Sequence, residues 1–185
     1  LVPMMLSPAV MGLFWSLILN GNYGLLNQVL GAIGVTEQPQ WLTDRDLKFW
    51  SILLIDVWMW TPFMLLISLA ALNSIPGYLY EAAEVDRATR WTVFRRITLP
   101  LCAPLLGLAA LLRTTDALKQ FDLVMAVTGP NDERTQTVST LLYQVLFRDG
   151  RVGLGSAYSC LVLVLVIALA TVFTRYLERL QRRSA

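Results

Sequence analysis

Between positions 81 and 100 the chain reads Glu81-Ala82-Ala83-Glu84-Val85-Asp86-Arg87-Ala88-Thr89-Arg90-Trp91-Thr92-Val93-Phe94-Arg95-Arg96-Ile97-Thr98-Leu99-Pro100. What flanks this polar, helix-prone island decides the fold: no charged residue occurs at 57–80 before it, and the apolar run 97–112 follows. The island has nothing to bury in hydrocarbon and belongs in water. Within it Trp91, Phe94 and Ile97 recur at spacing three and Val93 and Ile97 at spacing four, which makes one apolar stripe on a helix. Such a stripe on a water-exposed loop wants a groove on another protein. The alternative is a helix resting at headgroup level with its arginines toward lipid phosphate.

Two further windows lack charge altogether, 1–36 and 152–174. Each of the three holds about 20 helical residues, the length that crosses about 30 Å of hydrocarbon. The 185 residues are 56% hydrophobic and 15% charged, well above the apolar share of a soluble domain, and three such windows do not fit one small core. The run 97–112 is short for a span and reaches full length by continuing through Arg113 and Asp116 toward Phe121. The predicted fold is therefore all-α, a polytopic transmembrane helix bundle with spans near 2–20, 50–73, 98–120 and 154–176 and a loop near 77–97. Pro76-Gly77 closes the second span, while Pro100 and Pro104 fall in the first turns of the third, where a missing N–H costs little. Gly129-Pro130-Asn131-Asp132 marks a turn.

Lys and Arg placement gives the orientation. Arg87, Arg90, Arg95 and Arg96 lie in the island and Arg175, Arg179, Arg182 and Arg183 in the tail, against Arg45, Lys48, Arg134, Arg148 and Arg151 in the other two loops. Eight against five predicts a cytoplasmic island and C-terminus, with 20–48 and 122–151 outside. Trp41, Phe49 and Trp50 stand where the second span enters from the outer interface, and Tyr176 where the last span ends, as an interfacial belt requires.

The chain has no histidine, hence neither the usual general base nor the commonest nitrogen ligand of zinc, although carboxylate chemistry is not excluded by that alone. No G-x-x-x-x-G-K-[ST] phosphate loop occurs, so ATP binding would belong to another subunit. Cys102 and Cys160 sit inside apolar segments and read as core or lipid-facing residues, not as a disulfide or metal pair. No catalytic residue, cofactor or metal is expected.

A polar residue inside a span is a functional candidate, because hydrocarbon penalises it unless it faces a cavity or a partner. Asp56 lies within the second span near Trp60, and at helical spacing Arg113, Asp116, Ala117 and Gln120 fall on one face of the third. Charged and amide groups with rings such as Trp58 or Trp60 suit a polyhydroxylated ligand. A local i,i+3 pair of Arg113 with Asp116, already outside the membrane, is the competing reading.

Glu81, Ala82, Ala83, Asp86, Ala88, Phe94, Ile97, Leu99, Pro100 and Pro104 match the loop E-A-A-x-x-D-G-A with its I-x-L-P close, and the chain resembles the permease subunits of bacterial binding-protein-dependent ABC importers. Trp58, Trp60 and Pro62, Leu72 to Pro76, Phe121-Asp122-Leu123, Thr128-Gly129-Pro130, Thr135 and Tyr143 resemble the sugar-type subfamily related to maltose, trehalose and glycerol-phosphate permeases, with a single Gly129 where a double Gly is usual. The resemblance implies two short helices at an angle that dock in a cleft on a separate ATP-binding subunit, with Glu81 near a basic residue of that partner. It further implies a second permease subunit, an extracytoplasmic solute-binding protein, a carbohydrate or polyol substrate, the bacterial inner membrane and no nucleic acid. It also implies further spans ahead of Leu1. One position departs: Arg87 stands where Gly is usual. Arg resists φ > 0, so a milder turn with right-handed φ is expected there, its guanidinium offered to a partner carboxylate or to lipid. The alternative function is an ion-coupled secondary transporter or channel without an ATPase, which has no use for the island.

Overall fold

The computed structural model describes residues 2–35, 38–130 and 132–184, with side chains as far as Arg175. Asn131 and the side chains of Tyr176, Arg179, Arg182 and Arg183 lie outside the described residues. The helices are α1 (Val2–Met5), α2 (Pro8–Ile18), α3 (Leu25–Ala32), α4 (Leu47–Asn73), α5 (Tyr78–Val85), α6 (Arg90–Val93), α7 (Leu99–Leu118), α8 (Asp122–Val127), α9 (Val138–Tyr143) and α10 (Val152–Ser184), and no strand occurs among the described residues. Among the described residues, three helical stretches are long and apolar enough to cross a membrane: Leu47–Asn73, Arg90–Leu118 and Val152–Arg175. The protein is thus an all-α, multi-pass membrane protein.

The apolar window at 2–20 is divided. Ser7 before Pro8 takes an extended conformation (φ −67°, ψ 146°), as a residue preceding proline prefers, and its Oγ accepts from the Val10 N–H at 3.3 Å. Ser7 therefore ends α1 and caps α2, with Pro8 in the first turn where it needs no N–H. The 11 residues of α2 rise about 16 Å, half a hydrocarbon thickness.

The chain forms two compact units, one of Leu1–Pro62 with Ala117–Leu163 and one of Phe63–Asp116 with Val164–Ala185. In the first, Leu19, Ile55 and Leu123 are buried together, with Trp15, Leu26, Trp41, Leu42 and Ile52 packed against them. Helix α8 lies along α2, and Gly12 permits the approach: a Cβ there would sit 2.7 Å from the Ala126 Cβ. Residues 20–35 and 38–42 are built around Asn27, which is 1% exposed. Its Nδ2 donates to the carbonyls of Gly21 (2.8 Å) and Pro39 (3.1 Å), and its Oδ1 accepts from Trp41 Nε1 at 2.7 Å. Trp41, half-buried, thereby braces this segment as well as standing near the interface its position suggested. The neighbouring Phe49 and Trp50, 51% and 64% exposed, do have the exposure of a belt.

Lys48, at the start of α4, forms an ion pair with Asp132, both side chains largely buried. Burial pushes the Asp132 carboxyl up, but the Lys48 hydrogen bond and the Arg134 and Thr135 N–H groups outweigh it and hold its pKa below the usual range. A lowered folded-state pKa contributes stability above the unfolded carboxylate range, and that stability is lost as pH falls through the folded value. Wild type should therefore exceed Asp132→Asn in thermal midpoint near pH 6, by the several degrees that about 1–3 kcal/mol of charged hydrogen bond implies. The gap should close below about pH 4. Midpoints of both proteins measured across that range check it, and a pH-independent gap would refute the assignment.

In the second unit Ala71, Ile75 and Cys102 are buried together with Leu79, Tyr80 and Leu106 around them, so the end of α4, the start of α5 and the start of α7 share one core. Helix α10 buries none of its most apolar window, and Leu161, Val164 and Val172 stand 65%, 64% and 68% exposed. A helix so apolar and so exposed has the make-up of a span.

Candidate functional site

The island unfolds from the end of α4 as a closed loop with its own internal bonds. Pro76 cannot continue α4, and Gly77 opens α5, its carbonyl accepting from the N–H groups of Tyr80 (2.9 Å) and Glu81 (3.2 Å). Leu79 and Tyr80 face the core, and the Tyr80 hydroxyl meets Thr98 Oγ1 at 3.1 Å, pinning α5 to the entry of α7. The opposite side is left to solvent: Glu81, Ala82, Asp86, Arg87, Phe94, Leu99 and Pro100 are exposed, Ala88 and Ile97 half-buried, and Ala83 buried. A cavity of about 240 Å³ opens where Ala83 and Ala88 leave room between Tyr80, Val93 and Phe94.

The bend between α5 and α6 corrects the sequence expectation. Arg87 does not keep a right-handed φ; it sits at φ +51°, the only non-glycine residue with positive φ among the described residues. The Ala88 N–H reaches the Ala83 carbonyl at 2.9 Å and the Arg87 N–H the Glu84 carbonyl at 3.0 Å. This pair of bonds is the Schellman closure of a helix, with Arg87 at the left-handed position that glycine usually fills. The two bonds satisfy carbonyls that α5 would otherwise leave open, against a strain of about 1–2 kcal/mol for a side chain in that region. Sequence reasoning weighed the strain and missed the two bonds that oppose it.

Beyond the bend, Thr89 caps α6 by accepting from the Thr92 N–H at 3.3 Å. Trp91 and Phe94 stack at 5.7 Å between centroids, and they are 67% and 44% exposed. The two short helices expected here are α5 and α6, and α6 runs on through a π-helical turn over Phe94–Thr98 into α7. In that turn the Leu99 N–H bonds to the Phe94 carbonyl, five residues back. The wide turn falls just before Pro100, which lacks the N–H that an α-helix would pair with Arg96 and whose ring crowds that carbonyl.

The intramembrane candidates are sorted differently from the sequence reading. Helix α7 ends at Leu118, so Gln120 leaves the face shared by Arg113, Asp116 and Ala117. Two bonds hold it away: its Nε2 donates to Asp56 Oδ1 at 3.3 Å, and its carbonyl accepts from Thr137 Oγ1 at 2.7 Å. Asp56 and Gln120, read from separate segments, are thereby brought together. Trp60, one turn beyond Asp56, and Arg113 are half-buried, while Asp116 and Ala117 are exposed. Asp116 makes no ion pair among the described residues, so the local pair with Arg113 is not formed.

Sequence reasoning missed Thr137 and Thr140, which form a reciprocal cap on α9. The signal was present in a hydroxyl residue followed three positions later by another. Next to Gln120, the rings of Phe121, Tyr143 and Phe147 follow one another at 5.4 and 5.3 Å. Two amides, Gln136 and Gln144, join at 2.9 Å. The arrangement offers a carboxylate, amides, hydroxyls and ring faces, and no group of His, Cys, Asp or Glu among the described residues is placed to hold a metal.

Residues 1–184 match the family described as binding-protein-dependent transport system inner membrane component. The chain is 39% identical over 175 residues to the trehalose/maltose transport system permease protein MalF of Thermococcus litoralis, covering 95% of this chain and 59% of that protein. It is 40% identical over 134 residues to the trehalose transport system permease protein SugA of Mycobacterium tuberculosis, covering 72% and 43%. A solved bacterial alginate ABC transporter, in complex with an alginate pentasaccharide-bound periplasmic protein, superposes with a TM-score of 0.86 at 25% identity, over 96% of this chain and 62% of that one. The chain thus spans less than two thirds of the length of these relatives.

Proposed function

This chain belongs to the family of binding-protein-dependent transport system inner membrane components, and from that membership we propose that it is the membrane-spanning core of a permease subunit in an ATP-driven ABC importer of carbohydrates or polyols. The observation that carries the reading is the island: a capped, internally bonded pair of helices that leaves Glu81, Trp91 and Phe94 exposed instead of burying them. In this reading Glu81, Ala82, Asp86 and the stacked rings meet a separate ATP-binding subunit, which hydrolyses ATP; the permease itself is not an enzyme. A second permease subunit completes the pore, and a solute-binding protein delivers the substrate from outside. The excess of arginine in the island and tail supports a cytoplasmic side for both, with the C-terminus.

The proposed substrate route runs past Asp56, Trp60 and Gln120 in the first unit; Arg113, Asp116 and Ala117 are the further candidates, on α7. Sugar hydroxyls pair with a carboxylate and amides, while ring faces such as that of Tyr143 cover the apolar side of a pyranose. Uptake of labelled trehalose and maltose by vesicles carrying the assembled full-length complex tests the reading. Gln120→Ala and Asp56→Asn should each lower uptake roughly tenfold, the loss of about one hydrogen bond to ligand, with complex yield and basal ATP hydrolysis retained. Uptake without ATP, or unchanged uptake in both variants, would refute it.

A further inference from the structure

Arg87 occupies the one left-handed non-glycine position among the described residues, although glycine would close the same turn without strain. Its side chain is exposed and makes no hydrogen bond or ion pair among the described residues, so nothing among those residues accounts for an arginine there. Backbone strain held at an exposed, unpaired side chain points to a use outside the chain. Acting from the coupling role proposed above, we propose that Arg87 is a specificity residue for the ATP-binding subunit, its guanidinium pairing with a carboxylate on that partner's docking surface.

The geometry favours a protein carboxylate over a lipid phosphate. The continuous helical stretch Arg90–Leu118 has 29 residues, a rise of about 43 Å, whereas hydrocarbon takes about 30 Å. The 20 residues of α7 alone rise about 30 Å, so α6 and the bend at Arg87 that precedes it belong to the length in excess of the hydrocarbon. Around it Val85 is 82% exposed and Trp91 67%. Apolar side chains set beside cations, here Arg87 and the exposed Arg90, are the make-up of an interface whose rings anchor and whose charge selects. An arginine also offers a carboxylate two parallel N–H bonds, which lysine does not.

The test uses the full-length permease in its complex, with the ATP-binding subunit stripped off, labelled and rebound in nanodiscs of zwitterionic lipid. Arg87→Gly should raise the thermal midpoint of the stripped membrane part by a degree or more and yet weaken rebinding about fivefold or more, with Arg87→Lys intermediate and Arg87→Glu weaker still. Wild-type rebinding should also fall more steeply with salt than that of Arg87→Gly. The opposite signs separate a recognition role from a structural one. Wild-type affinity in Arg87→Gly would overturn the proposal, as would a lowered midpoint, or a defect seen only in anionic-lipid nanodiscs, which would assign Arg87 to lipid. If the wild-type membrane part rebinds no ATP-binding subunit at all, the coupling reading itself fails, and the role of Arg87 with it.

Discussion

Asn27→Leu is expected to lower the thermal midpoint of the purified protein by about ten degrees or more and to make the segment 20–42 the first site of proteolysis. The substitution is close in volume but removes both donors and the acceptor of a side chain that is 1% exposed. It strands the Gly21 and Pro39 carbonyls and the Trp41 indole N–H. Each stranded group costs about 1–3 kcal/mol, and about 2–4 degrees follow each kcal/mol in a chain of this size. Asn27→Asp makes the control, since it keeps the acceptor for Trp41 but turns a carboxylate toward two carbonyls; it should fall nearly as far. A midpoint for Asn27→Leu within about one degree of wild type would show that the segment is held by its apolar contacts alone.

Glu81→Lys should all but abolish retention of the ATP-binding subunit through purification while leaving the membrane subunit's own yield and midpoint unchanged. Glu81 lies exposed in the first turn of α5 and touches no span, so its replacement should move the fold by no more than about 0.5 kcal/mol. At a docking surface the same change reverses a charge, and one-sided loss of an interfacial charge pair commonly costs about 2–5 kcal/mol, roughly 30-fold to several thousandfold in affinity. Quantifying the two subunits in the eluate at matched expression decides it. Equal recovery from wild type and Glu81→Lys would remove Glu81 from the interface.

Those parts of the fold that depend on one property were legible in the chain itself. Absence of charge over about 20 residues is enough to mark α4 and α10, and the island stood out because its polarity interrupts such runs. Where two local preferences compete, composition misleads. The window 2–20 is uniformly apolar, yet Ser7-Pro8 breaks it through backbone sterics that hydropathy does not register. Gln120 fits the helical spacing of Arg113 and Asp116, but bonds to Asp56 and Thr137, 64 and 17 residues away, draw it off the helix. Nothing local announces partners at that distance. Trp41 has the composition of a belt residue, and only the buried amide of Asn27 makes it a brace as well. At Arg87 the steric rule was sound, and the outcome went against it because two backbone bonds close the turn.

The wide turn at Phe94–Thr98 has a consequence for how rotation is passed along the rod that contains it. An α-helix advances about 100° per residue, so one residue absorbed in a widened turn offsets the azimuth of everything before it by about that angle relative to everything after. On the far side Leu101, Leu105, Leu108 and Leu112, all 39–48% exposed, form a single longitudinal row; on the near side the Trp91 and Phe94 rings are set by a different zero. The two ends are geared separately. Tightening that one turn would swing the aromatic end through more than a quarter revolution while the leucine row kept its bearing in the bilayer.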